Sequence, residues 1–128
     1  MKVLLDTCTF LWVAAGSKEL SGRARETFAS ADNEVYLSSV SAWEIAVKAA
    51  LGRLPLPSTP DRFVPEAREM HDIEPLPLAE DVCLLTAKLP LLHRDPFDRM
   101  LVCQAMAGAM TILTPDPDIA RYPVRTAW

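Results

Sequence analysis

Histidine is nearly missing from this chain: His71 and His93 are the only two in 128 residues. That shortage excludes a histidine-built metal centre. Cysteine is almost as sparse. Cys8, Cys83 and Cys103 are too few and too widely spaced for a zinc knuckle or a disulfide framework. Cys83 and Cys103 lie in apolar runs and read as small core residues. Any metal bound here would be a hard cation held through oxygen. Positive charge is also in the minority, with 13 Lys and Arg against 17 Asp and Glu and a net charge of −4. This excludes a broad, non-specific nucleic-acid surface, but not a nuclease whose acids are neutralised by bound cations. No apolar run approaches the roughly 20 residues of a membrane span. The start, "MKVLLDTC", lacks the apolar core of a signal peptide. The chain reads as cytoplasmic, with no membrane partner.

Half of the residues are hydrophobic, enough for one cored domain over residues 1–128. Short apolar runs alternate with helical segments. "KVLL" (2–5), "EVYLS" (34–38), "TILT" (111–114) and "VRTAW" (124–128) read as strands. "IEPLPL" (73–78) is extended at best, because two prolines bar it from the middle of a sheet. Helices are expected over 9–15, 21–31, 41–52, 61–71 and 79–89, and from Pro96 onward. In the third of these, Trp43, Ala46, Val47, Ala50 and Leu51 share one face, and Gly52 stops it. The proline-rich loop 53–60 reads as exposed. Such alternation implies an α/β fold, a parallel sheet covered on both faces, with any site beyond the carboxyl ends of its strands.

Four carboxylates fall at that edge. Asp6 follows the first strand and Asp116 comes just after "TILT". Glu44 and Asp98 each lie in the first turn of an expected helix. Each also has a plain structural reading. Asp6 caps the first helix, Ser41 and Glu44 form a capping box, and Glu44 pairs with Lys48. Asp116 precedes a proline, as Asp95 does. In "HRDPFDRMLVCQA", Asp95 caps, Pro96 takes the first helical position, and Asp98 faces the positive helix end. Together, four like charges on one edge repel unless something positive lies between them, which leaves Lys48, Arg94, Arg99 or divalent cations. Metal-assisted hydrolysis of a phosphodiester suits such a cluster. Mg²⁺ or Mn²⁺ takes carboxylate oxygens and needs no protein nucleophile.

The segments "LLDTCTFLW", "SSVSAWEIAVKAALGRL", "LLHRDPFDRMLVCQA" and "ILTPDPDIARYPV" together resemble a PIN-domain ribonuclease of the VapC toxin type, in order and over nearly the whole chain. The resemblance implies a PIN-like three-layer α/β/α fold with a mainly parallel sheet of about five strands. It implies that Asp6, Glu44 and Asp98 are the core catalytic metal ligands, with Asp116 the fourth acid, and Mg²⁺ (or Mn²⁺) the cofactor. It further implies an RNA substrate, a cognate antitoxin protein and a homodimer. Arg94 and Arg99 are then candidates to hold phosphate or to pair with the acids. The chain departs from the family pattern at Cys8, where histidine is frequent, and at Pro115, where a basic residue is. A haloacid-dehalogenase-like phosphatase fits poorly, because "DTC" puts Cys8 where its second aspartate belongs. A receiver domain lacks its acidic pair here. A catalytically silent PIN-fold protein-binding module is the remaining alternative.

Overall fold

The computed structural model describes residues 1–128. Strands β1 (Lys2–Leu5), β2 (Glu34–Ser38), β3 (Glu74–Leu76), β4 (Thr111–Leu113) and β5 (Arg125–Ala127) form one sheet in the order β3-β2-β1-β4-β5. Every neighbouring pair is parallel. The helices are α1 (Thr7–Ala15), α2 (Gly22–Ala29), α3 (Ser39–Ala50), α4 (Pro60–Met70), α5 (Glu80–Leu85) and α6 (Pro96–Gly108). The expected α/β architecture is present, with the sheet entirely parallel.

Strand β1 is apolar without a break because it feeds two cores at once. Val3 and Leu5 face Phe10, Val13, Leu37 and Ile45 on one side. Leu4 faces Leu101, Val102, Ile112 and Ile119 on the other. Each fully buried aliphatic side chain contributes about 1.5–3 kcal/mol. Two layers of helix therefore hold the strand from opposite sides and fix where its carboxyl end emerges.

The edges follow local chemistry. Pro75 lies inside β3, which is tolerable because β3 is an edge strand with only β2 beside it. The expected loop 53–60 is less exposed than its prolines suggest, since Leu54 and Leu56 pack against the Phe10 core. Cys103 is buried as expected, whereas Cys83 is only half-buried. Gln104, the lone polar residue in the apolar stretch of α6, is buried but satisfied. It is bonded to the Ser38 hydroxyl and donates to the Pro77 carbonyl at 3.3 Å.

Helix α6 runs through Gly108, and its C-cap is the next residue, Ala109. Ala109 takes the left-handed conformation, φ +52°, that glycine adopts without a Cβ penalty. Ala109→Gly is therefore expected to stabilise the protein by about 1 kcal/mol, read as a higher denaturation midpoint with an unchanged slope.

Candidate active site

Asp6 leaves the carboxyl end of β1 and caps α1. Its Oδ1 accepts the Thr9 N–H at 2.8 Å, and its Oδ2 accepts the Thr114 hydroxyl. It is 5 % exposed. Burial pushes its pKa above the ordinary carboxylate value, against the pull of the Thr114 and Thr9 hydrogen bonds, and Asp116 adds to the rise. Capping and facing the site are thus one geometry, since the first turn of α1 starts where the strand opens onto the edge.

Glu44 reaches the same edge differently from the expected capping box. Helix α3 starts at Ser39, capped by the Ser38 hydroxyl, which accepts the Val40 N–H at 3.0 Å. Ser41 is therefore inside the helix, and Glu44 is in its second turn rather than its first. Both are buried. Thr7 donates to Glu44 Oε1 at 2.6 Å and lies 3.0 Å from the Ser41 hydroxyl. The expected Lys48 pair is present on Oε2, and it raises the Lys48 pKa. The expected apolar face also turns out to be the wrong one. Trp43 is 62 % exposed and Leu51 61 %, whereas Val40, Ser41, Glu44 and Ile45 point inward. A face carrying a glutamate can be buried here because Thr7 and Lys48 satisfy its carboxylate.

Asp95 is the N-cap of α6, as expected, with Oδ1 accepting the N–H groups of Phe97 at 2.9 Å and Asp98 at 3.2 Å. That frees the Asp98 side chain, whose Oδ2 lies 3.3 Å from His93 Nε2. Burial pushes the Asp98 pKa up to about 7, with Asp95, Asp116 and Glu44 adding repulsion and the His93 bond opposing. Asp116 is bound to the same framework. Its N–H donates to the Thr114 hydroxyl at 3.0 Å, and its Oδ1 accepts the Asp118 N–H at 2.8 Å.

Electrostatics show that the four acids share one neighbourhood. Asp98 feels Asp116 and Glu44, and Asp6 feels Asp116. The exposed Cys8 lies among three of them. Partial desolvation raises its thiol pKa first, Asp6, Glu44 and Asp98 raise it further, and Lys48 opposes them. A thiol held protonated in this way is a poor nucleophile.

The two arginines part company. Arg94 is exposed and makes no ion pair. The Arg99 guanidinium is engaged through both Nη atoms on carbonyls and a hydroxyl rather than on the acids. It donates to the carbonyls of Pro90 (2.8 Å), Thr86 and Leu89 (both 3.3 Å), and to the Tyr122 hydroxyl (3.1 Å). Sequence reading assigned Ser41 only a capping role, and no role at the site to Thr7, Thr114, His93 or Tyr122. The available signal was position: Thr7 and Thr114 sit at the same strand ends as the acids.

The donor set is all oxygen and mutually repelling, which fits a hard divalent cation. As the side chains stand, no three of them close on a single point to hold one. The physical reason lies in their present partners: Thr9 and Thr114 hold Asp6, Thr7 and Lys48 hold Glu44, and His93 holds Asp98. No helix is long and apolar enough to cross a membrane.

No curated protein sequence matches the chain. Among solved structures, it is similar to VapBC2 from Rickettsia felis bound to a promoter DNA fragment (TM-score 0.75, 13 % identity, 100 % of this chain and 99 % of that one). It is also similar to DNA-bound VapBC from Salmonella typhimurium (0.66, 18 %, 99 % and 97 %) and to VapBC-5 from Mycobacterium tuberculosis (0.60, 18 %, 94 % and 89 %). Residues 3–125 match the PIN domain. With nearly its whole length matched, and with the five-stranded parallel sheet that carries the acids, the chain belongs to the PIN-domain family.

Proposed function

We propose that this protein is a metal-dependent endoribonuclease, the toxin of a toxin–antitoxin pair, with Asp6, Glu44, Asp98 and Asp116 as its acidic centre. The observation that carries this reading is the gathering of buried and half-buried carboxylates at one sheet edge. Asp6 and Asp116 are bonded to the same Thr114 hydroxyl, and Asp98 is lifted to about 7 by burial first and by its acidic neighbours Asp95, Asp116 and Glu44 second. A carboxylate that resists ionisation among its own kind is stabilised by positive charge. Asp6, Glu44, Asp98 and Asp116 would hold Mg²⁺ or Mn²⁺, which would activate water and offset the charge that develops on the leaving oxygen. The chain's own groups hold the acids for this: Thr9 and Thr114 orient Asp6, Thr7 orients Glu44, and Asp95 keeps the helix start open for Asp98. The exposed Arg94 is free to meet an RNA phosphate. The antitoxin reading is supported by the VapBC likenesses, whose structures are of toxin–antitoxin complexes. A homodimer and a cytoplasmic setting belong to the same proposal.

The test is cleavage of single-stranded RNA by the purified protein. Cleavage is expected with Mg²⁺ or Mn²⁺ and none with EDTA, with full recovery on adding the metal back. Cleavage that persists unchanged in EDTA would overturn the metal-dependent reading.

A further inference from the structure

The Tyr122 hydroxyl, buried beneath the start of α6, settles the chemistry of the one histidine near the site. Three groups surround it. The His93 backbone N–H lies at 3.2 Å, Arg99 Nη1 at 3.1 Å and His93 Nδ1 at 2.7 Å. The first two can only donate, so they occupy both lone pairs of the phenolic oxygen. Its single hydrogen must then go to Nδ1, which accepts. In the neutral ring the remaining hydrogen sits on Nε2, and Nε2 lies 3.3 Å from Asp98 Oδ2.

We propose that His93 is a positioning residue for Asp98, locked by Tyr122 as the Nε2–H tautomer so that Nε2–H donates to Oδ2. Its consequence for catalysis rests on the nuclease reading above; the tautomer itself does not. The donor takes up Oδ2 and leaves Oδ1, which has no hydrogen-bond partner, as the oxygen available to a cation or water. The geometry is firmly held. Tyr122 is 3 % exposed and the His93 side chain 12 %. Arg121 Nη1 bonds the Leu92 carbonyl at 2.7 Å and Arg99 Nη1 bonds that of Pro90 at 2.8 Å, so two arginines clamp the segment that leads into His93. Tyr122 follows the turn that Asp116 opens. The Tyr122–His93 contact therefore ties the Asp116 loop to the Asp98 helix, so the spacing between two of the acids depends on it.

The experiment uses the whole, metal-free protein labelled with ¹⁵N-histidine in mildly alkaline buffer, with imidazole ¹H–¹⁵N correlations recorded for the parent, Tyr122→Phe and His93→Gln. His93 is expected as a pure Nε2–H tautomer in the parent and as a mixture in Tyr122→Phe. Calorimetry with Mn²⁺ alone should show affinity about tenfold weaker in Tyr122→Phe. In His93→Gln, whose amide still offers an N–H to Asp98, affinity should stay near that of the parent, which a purely structural role would not predict. An Nδ1–H tautomer in the parent, or a doubly protonated ring, would overturn the proposal. So would unchanged tautomer and Mn²⁺ affinity in Tyr122→Phe. A parent that shows the Nε2–H form but neither binds Mn²⁺ nor cuts RNA would instead sink the nuclease reading and leave the hydrogen-bond assignment standing.

Discussion

Asp98→Asn is expected to lower RNA cleavage by at least about a thousandfold while leaving the fold intact, because several kcal/mol of charge stabilisation are lost with the carboxylate. In the metal-free protein the same change is expected to stabilise. The folded-state pKa of Asp98 is raised from 3.8 to about 7. Between those values the folded protein binds a proton that the unfolded chain has released. Stability from this group therefore falls as pH rises from about 4 to about 7, and the full penalty remains above 7. After allowance for water reaching the site, the gain in the variant is about 1 kcal/mol, or roughly 4 °C in Tm, above pH 7, and close to nothing below pH 4. Thermal unfolding in EDTA at the two pH extremes measures it. A variant no more stable than the parent in alkaline buffer would mean that burial and the neighbouring acids do not disfavour the Asp98 charge as described. Asp95→Asn separates site from cap, since Asn still caps and Asp95 raises Asp98 only from beside it.

Arg99→Ala should cost about 2–3 kcal/mol of stability, lowering Tm by roughly 10 °C. The guanidinium binds three carbonyls and the Tyr122 hydroxyl, and removing it leaves several acceptors without a donor at once. Those acceptors lie on the segment 86–90 and on Tyr122, so the loss loosens the approach to α6 rather than a single contact. Arg94→Ala, by contrast, should change stability by less than about 0.5 kcal/mol, because its side chain is exposed and unpaired. Denaturant titration of both variants decides the matter. Equal, small effects would mean that Arg99 is not a strut and would return it to the candidates for phosphate contact.

Sequence carried a great deal of this molecule, for identifiable reasons. Period and punctuation are local: "KVLL", "EVYLS" and "TILT" are strands because their apolar runs are short and bounded, and the strand–helix alternation forces a parallel sheet. Asp95 followed by Pro96 wrote its own cap, and the structure keeps it. The position of Asp6 and Asp116 just past strand ends also followed from the chain alone, since a parallel sheet sends all its carboxyl ends to one edge.

Other features depended on which surfaces meet. The 3.6-residue period offers two faces of α3, and the more apolar one, with Trp43 and Leu51, ended outside. The buried one carries Glu44, and it is tolerable only because Thr7, 37 positions away, hydrogen-bonds the carboxylate. Ser38 displaced Ser41 as the cap because β2 runs straight into the helix. Arg94 and Arg99 looked alike in the sequence. What separates them is a fold that brings the carbonyls of residues 86–90 around one guanidinium and leaves the other in water. The tautomer of His93 depends on Tyr122, 29 positions on. Composition and spacing thus determined the sheet, the edge and the acids, because those are set by local pattern and chain direction. The hydrogen-bond partners that orient each acid were decided only by the tertiary structure, because they come from distant segments that nothing in the local sequence obliges to meet.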